Sequence, residues 1–209
     1  MFNNNGIFTD NFIVSRINNN LFTNIYGPNI STTTPLSPTI PISNICFPGY
    51  TLIDTNLGKI AIEKINPDIH TIRNKKIVTV TKTITQDKYL VCFEQGSLGM
   101  NIPSEKTVIS KNHLIFYKGH MIKAKEFIKI INNGKVRKMK YTGEILYNIL
   151  LENYDKMVVN NLICETLHPI NSIAVLYTEL KNFNDEEKKY LINCFNEHVV
   201  RNNVFTCKR

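Results

Sequence analysis

No stretch of this 209-residue sequence stays apolar for the length a bilayer crossing needs. The opening MFNNNGIFTDNFIV has no basic region leading into a continuous apolar core, so no signal peptide is read there. The expected location is therefore cytoplasmic or intracellular, with no membrane as partner. Cysteine is sparse and scattered: Cys46, Cys92, Cys164, Cys194 and Cys207 form an odd set with no C-x-x-C or Cys/His spacing. That pattern argues against a zinc site, and neither a metal nor a cofactor is expected. Without secretion the thiols stay reduced by default, which leaves a cysteine free to act as a nucleophile. No paired carboxylate–lysine or His-Asn-His cluster is present, so nothing points to a nuclease. No internal repeat of useful length is visible.

What charge there is leans basic. The net charge is +8, and residues 46–168 hold 18 Lys and Arg against 11 Asp and Glu. Such a field can attract nucleic acid or an acidic partner. No recognition motif accompanies it, and lysine is abundant beside asparagine and isoleucine, so it reads as the solubilising residue. Nucleic acid is not the expected partner, and the chain is expected to be a monomer.

Three segments differ in composition. Residues 1–45 are rich in Asn, Thr, Ser and Pro, ending near STTTPLSPTIPIS, and read as an extended leader or linker. Residues 46–168 read as a compact all-β domain of many short strands. TLID and KIAIEKI flank the turn-forming TNLG, IVTVTKTI alternates, and KYLVCFE, TVIS and HLIFYKG follow as further strands. EILYNILLE and MVVNNLICETL come last, joined through Asn153-Tyr154-Asp155-Lys156 as a hairpin, and AKEFIKII is read as one short helix. Residues 169–209 form an extension. Within it, Asn184 with Glu187 resembles a capping box, and Leu191, Phe195 and Val199 recur at intervals of four. The spacing predicts an amphipathic helix over about residues 185–200, its apolar stripe docked on the β domain.

Three strings carry chemistry. Cys46-Phe47-Pro48-Gly49 stands where the polar leader ends and the first strand begins. A sulfur there can attack the carbonyl of Ile45 and turn the amide into a thioester, if something protonates the departing nitrogen. Alone, such a cysteine is more often a small buried hydrophobe. Ser110-Lys111-Asn112-His113 places a hydroxyl and an imidazole three residues apart at a strand–turn–strand junction. The imidazole can act as general acid toward the scissile nitrogen and the hydroxyl can bond the same amide; alone, this is a surface turn. The third string runs from Tyr141 through Asp155 to Thr166 and by itself is only a β-hairpin.

Taken in order, these strings resemble the Hint domain of the hedgehog and intein autoprocessing proteins, in its stand-alone hedgehog-like form. CFPG looks like the domain's opening block. ISKNHLIF is similar to the block carrying Thr-x-x-His, with Ser110 in place of Thr. GEILYNILLE and MVVNNLI are similar to the closing strands. The resemblance covers about residues 46–168 and implies a horseshoe-like all-β fold that brings the first residue beside the closing strands. It also implies Cys46 as nucleophile, His113 as activating acid and Ser110 as supporting hydroxyl. Asp155 falls near an acid or His of inteins; the plainer reading is a turn aspartate bonding its own backbone.

The departures define the reaction. An intein ends in His-Asn, and asparagine cyclisation releases the downstream segment; here Glu165-Thr166 stand there, and neither cyclises that way. Splicing is therefore not expected. What remains is cleavage at Ile45–Cys46, with the chain's own N-terminal segment as substrate. The competing readings are a degenerate, inactive Hint fold serving as a structural or interaction module, and a basic nucleic-acid-binding relic. Cys164 is a candidate acyl acceptor or disulfide partner for Cys46, against the plainer reading of a small buried strand residue. His168 is read as structural, and His70, His120 and His198 as solvent-facing.

Overall fold

The computed structural model describes residues 40–206, with side chains as far as Arg201. Most of the expected leader lies outside the described residues, as does Cys207. The chain divides into two compact units, one of them Ile42–Pro169 and the other containing everything from Ile170 onward.

The first unit is all-β, as expected. Its strands in chain order are β1 (Phe47–Pro48), β2 (Leu52–Thr55), β3 (Gly58–Ala61), β4 (Thr71–Ile72), β5 (Lys75–Thr83), β6 (Tyr89–Phe93), β7 (Thr107–Ser110) and β8 (Leu114–Tyr117). They continue with β9 (His120–Lys123), β10 (Val136–Lys140), β11 (Leu146–Leu151), β12 (Lys156–Val159) and β13 (Leu162–Glu165). One helical turn, Ala124–Glu126 running into α1 (Phe127–Ile130), sits where the short helix was predicted. The strands form three sheets in the orders β1-β11-β5-β4, β10-β6-β7 and β3-β2-β12-β13-β8-β9.

The predicted TNLG hairpin forms: β2 pairs with β3 from Leu52↔Ala61 to Thr55↔Gly58, leaving Asn56 and Leu57 at the turn. The predicted pairing of the last two apolar strings does not. MVVNNLICE splits at Asn160-Asn161, whose φ values of 47° and 67° build a tight left-handed turn that asparagine tolerates. β12 therefore turns back onto β13, from Lys156↔Glu165 to Val159↔Leu162. β11 instead lies between β1 and β5, in register Phe47↔Tyr147 and Leu146↔Thr83. Six consecutive buried residues suit a strand flanked on both sides, where alternation gives way to a continuous apolar run.

β7 and β8 also belong to different sheets, so the chain crosses between sheets at Ser110-Lys111-Asn112-His113. A main core gathers Phe47, Ile53, Phe93, Ile115, Phe127, Ile149 and Cys164, and a smaller cluster gathers Cys46, Leu90, Cys92, Val108 and Leu146. Phe93 and Tyr117 both meet the Phe127 ring edge-on, at centroid distances of 5.5 and 5.4 Å, which anchors the helical turn. His70, expected to face solvent, is buried instead, its Nδ1 taking the Asn66 N–H at 2.9 Å.

The second unit holds α2 (Ser172–Glu179) and α3 (Asp185–Thr206). The capping box forms reciprocally: Glu186 and Glu187 N–H donate to Asn184 Oδ1 at 3.0 Å each, and Asn184 N–H donates to Glu187 Oε2 at 2.9 Å. The helix starts where predicted but continues past residue 200, because neither Gly nor Pro interrupts VRNNVFT. Leu191 and Phe195 are buried and Val199 half-buried, the expected stripe. Among the described residues no helix is long and apolar enough to cross a membrane.

Candidate active site around the Ile45–Cys46 peptide

The site is assembled from three strand ends that point one face at the same peptide bond. On β11, Leu146 and Asn148 share a face by the two-residue period, and opposite them on β5 stand Thr83 and Thr81. On β7, Ser110 lies opposite Leu90, on the face that also carries Val108 and Cys92. Cys46 enters between them with no solvent exposure.

Both ends of the Ile45–Cys46 peptide are held. Its carbonyl, Ile45 O, accepts from Asn148 Nδ2 at 2.8 Å. Its N–H, on Cys46, donates to Ser110 Oγ at 2.8 Å, and Ser110 N–H returns a bond to the Cys46 carbonyl at 3.0 Å. The Asn148 amide cannot swing, because the Ile149 N–H donates to its Oδ1 at 2.8 Å. A fixed donor on a peptide carbonyl is the arrangement that stabilises charge developing on that oxygen.

The sulfur of Cys46 lies 3.2 Å from Thr83 Oγ1, which itself donates to Leu146 O at 3.4 Å. Burial pushes the thiol up to about 11, against the hydroxyls of Thr83 and Ser43 and the Ile45 backbone, which pull it down; Asp87 adds a small upward push. That aspartate is paired with Lys111 at 2.7 Å.

His113 is fully buried, its ring 4.2 Å from that of Phe47 between centroids. Nε2 lies 3.1 Å from the carbonyl of Glu165, which can only accept, so Nε2 carries the proton and Nδ1 presents a lone pair. Nδ1 has no hydrogen-bond partner. Burial holds the imidazole down to about 4, with the Glu165 carbonyl working weakly the other way, so the ring is neutral at pH 7. The Glu165 carboxylate accepts the Leu114 N–H at 2.8 Å and the Tyr154 hydroxyl at 3.2 Å, and burial raises its proton affinity.

Of the four residues singled out from sequence, Cys46 and Ser110 meet directly, and His113 follows Ser110 with its N–H on the Ser110 carbonyl at 3.2 Å. Asp155 is not among these contacts. Its carboxylate pairs with Arg73 at 3.0 Å and Lys75 at 2.7 Å, and the Lys75 bond holds its proton affinity below the usual carboxylate range. Its backbone exchanges bonds with Thr166, tying the start of β12 to the end of β13. Cys164 sits in the main core as a free, fully buried thiol whose proton affinity burial raises strongly; Cys46 is free too, and belongs to the smaller cluster. His168 stacks on Tyr154 at 4.9 Å. Sequence reading missed Asn148 and Thr83. Asn148 is the only polar residue in an otherwise apolar LYNILL apart from the Tyr147 hydroxyl, and a buried polar group in a central strand needs partners. Gly49 closes the turn after Cys46: a Cβ there would stand 3.0 Å from Tyr147 Cε2 and against Glu63 Oε2. Among the described residues no group of three or more His, Cys, Asp or Glu is placed to hold a metal.

The Hint domain family model matches residues 45–171, and the chain belongs to that family of self-processing domains. No curated protein matches the chain. Among solved structures, a DnaB intein from Synechocystis is similar at 14% identity over 59% of this chain and 99% of its own, with a TM-score of 0.41. A variant of the Ssp DnaB mini-intein gives 14%, 59%, 95% and 0.40, and an AceL NrdHF class 3 split intein gives 12%, 59%, 97% and 0.36. These are loose likenesses of fold.

Proposed function

We propose that the domain cleaves its own chain between Ile45 and Cys46 by an N-to-S acyl shift and resolution of the thioester, without splicing. The observation that carries this reading is the grip on one peptide bond from both ends, by Asn148 on its carbonyl and Ser110 on its nitrogen, beside a buried sulfur. Few structural needs call for two buried side chains on the peptide that precedes a cysteine.

In the first step the Cys46 sulfur adds to the Ile45 carbonyl carbon, and the oxygen gains charge against Asn148 Nδ2. The carbon–nitrogen bond then breaks, and the proton that leaves the thiol ends on the Cys46 nitrogen, giving an amine and a thioester. A neutral His113 with a bare Nδ1 suits this transfer better than a charged one, since it must accept a proton before it can give one. Water or another nucleophile then takes the acyl group and returns the hydrogen to sulfur. Where the resemblance puts the intein's His-Asn stand Glu165-Thr166, and the Thr166 hydroxyl is engaged with the Asp155 carbonyl at 3.0 Å, so no cyclising amide stands at that place.

The competing reading, an inactive Hint scaffold used for interaction, draws on the raised thiol, because little thiolate exists near neutrality. Intact mass of the full chain, with and without hydroxylamine, separates the two. An N-terminal fragment ending at Ile45 (as the hydroxamate when hydroxylamine is present) that disappears in Cys46→Ala establishes processing. An intact chain under both conditions favours the scaffold.

A further inference from the structure

We propose that Thr83 is a catalytic residue whose hydroxyl serves the Cys46 sulfur in both protonation states: it accepts the S–H of the thiol, and it turns its own hydrogen to the thiolate that attacks. This rests on the cleavage reading above and names the group that makes a buried sulfur usable.

The strand supplies its own comparison. Thr81 and Thr83 share one face of β5 and repeat one bond: Thr81 Oγ1 donates to Asn148 O and Thr83 Oγ1 to Leu146 O, each to the residue opposite and each at 3.4 Å. That bond is what a buried strand hydroxyl needs. Thr83 differs by a second contact, Cys46 Sγ at 3.2 Å. Its place is fixed from both sides. Leu146 pairs with it on β11, and the next residue, Ile84, holds the leader through the parallel Ile42–Ile84 bridge and the Ser43 N–H on the Ile84 carbonyl at 2.8 Å. Thr83 is 1% exposed and Cys46 not at all, so solvent does not compete for the contact.

A hydroxyl has one hydrogen and two lone pairs. In the thiol state both contacts are satisfied at once, with S–H donated to Oγ1 and O–H to Leu146 O. The second of these is long for a hydroxyl bond and costs little to give up. The thiol proton passes to a base (hydroxide in alkaline solution) whose conjugate acid later gives it to the departing Cys46 nitrogen. The sulfur is then an acceptor only. Rotation about the Cβ–Oγ1 bond carries the hydroxyl hydrogen from Leu146 O to Sγ, and no covalent bond of Thr83 breaks. A hydrogen bond to an ion is worth about twice one between neutral groups, and it offsets part of the cost of a buried anion. Among the influences on the thiol, Thr83 is the largest that favours the charged form. As the sulfur adds to the Ile45 carbon, the charge moves to the Ile45 oxygen, where Asn148 Nδ2 stands at 2.8 Å. Two buried donors thus flank the path of the negative charge, Thr83 where it starts and Asn148 where it arrives.

The test uses the full chain with Thr83→Val, Thr83→Ser and Thr81→Val. Valine keeps the shape and strand preference of threonine without the hydroxyl, and serine keeps the hydroxyl without the methyl. The S–H stretching band of Cys46, assigned by its loss in Cys46→Ala, reads the contact at neutral pH in the infrared. Thr83→Val should move that band to higher frequency, Thr83→Ser should return it, and Thr81→Val should leave it in place. Hydroxylamine-assisted cleavage, followed by intact mass, reads the anion. Loss of one hydrogen bond to a charged sulfur lowers the thiolate population by about tenfold; the freer thiolate is the better nucleophile, which returns part of this and leaves Thr83→Val slower by about threefold. Thr83→Ser should recover the parent's rate. A parent that cleaves with Thr83→Val as fast, or with Thr83→Ser giving no recovery, overturns the proposal. If the parent does not cleave, the cleavage reading falls and the band decides alone. A band raised in Thr83→Val and returned in Thr83→Ser upholds the hydroxyl–sulfur pair, and an unmoved band overturns it.

Discussion

Replacing Asn148 with alanine asks whether the grip on the Ile45 carbonyl is chemical or architectural. Removing a single donor to a developing oxyanion costs roughly 2.7–4 kcal/mol in systems where the bond strengthens during reaction. Here the bond already stands at 2.8 Å in the uncleaved chain, and only the part gained in the transition state accelerates anything. Subtracting about 1 kcal/mol for the ground-state bond leaves roughly 1.5–3 kcal/mol, a cleavage rate lower by about 10- to 100-fold. The substitution also strips the Ile149 N–H of its side-chain acceptor at a residue only 1% exposed, which costs about 1–3 kcal/mol of stability. Rates should therefore be read well below the variant's melting temperature, as first-order loss of the intact mass in hydroxylamine. Asn148→Ala cleaving within about twofold of the parent while folded would refute the electrostatic role, because even the lower bound exceeds that.

Because burial pushes the Cys46 thiol to about 11, the cleavage rate should climb about tenfold per pH unit from pH 7 to 10; a plateau near the ordinary thiol value of 8.5 contradicts a buried nucleophile. His113 should make the fold acid-sensitive. Its proton affinity falls from an ordinary 6.5 to about 4, so on acidification the unfolded chain takes the proton first. Stability is lost between those two values, by about 3 kcal/mol in all. Urea midpoints at pH 7 and 4.5 should therefore differ less in His113→Gln than in the parent. Asp155→Asn should act on stability alone. Its partners Arg73 and Lys75 are more than half exposed, so the loss is at most about 1 kcal/mol, smaller in high salt and smaller again as acid protonates the parent carboxylate. Cleavage of Asp155→Asn at the parent's rate checks that this carboxylate stands outside the site.

The local elements were readable where a side chain declares its own geometry. TNLG at the β2–β3 turn, the alternation of β5 and the Asn184/Glu187 box each depend on neighbours in the chain alone. Pairing was harder. EILYNILLE and MVVNNLICE looked like two arms of one hairpin, because nothing local distinguishes a four-residue turn at Asn153–Lys156 from a crossing to another sheet. What settles it is Asn160-Asn161, whose left-handed backbone closes a tighter hairpin inside the second string. At the site, Cys46, Ser110 and His113 were legible as a set because their order resembles a family. Asn148 and Thr83 were not, although both sit at polar positions of buried strands where partners are required. Asp155 drew notice from its place near the closing strand, while its actual partners, Arg73 and Lys75, come from a hairpin some eighty residues earlier.

The complete enclosure of Cys46 bears on what happens after a bond is broken there. A cut between Ile45 and Cys46 creates a new amino terminus at a point with no water contact, beside Ser110 Oγ. Ammonium is poorly tolerated in such a place, so the amine stays neutral and keeps its lone pair. A neutral amine next to its own thioester is the best available trap for it, and recapture restores the starting peptide. Net release is then a race between recapture by the amine and attack of water or another nucleophile on the thioester that carries the tail. The Ile42–Ile84 bridge and the Ser43–Ile84 bond hold that tail in the race. The access of a resolving nucleophile to this enclosed thioester, more than the reactivity of the sulfur, would set how far such a reaction runs forward.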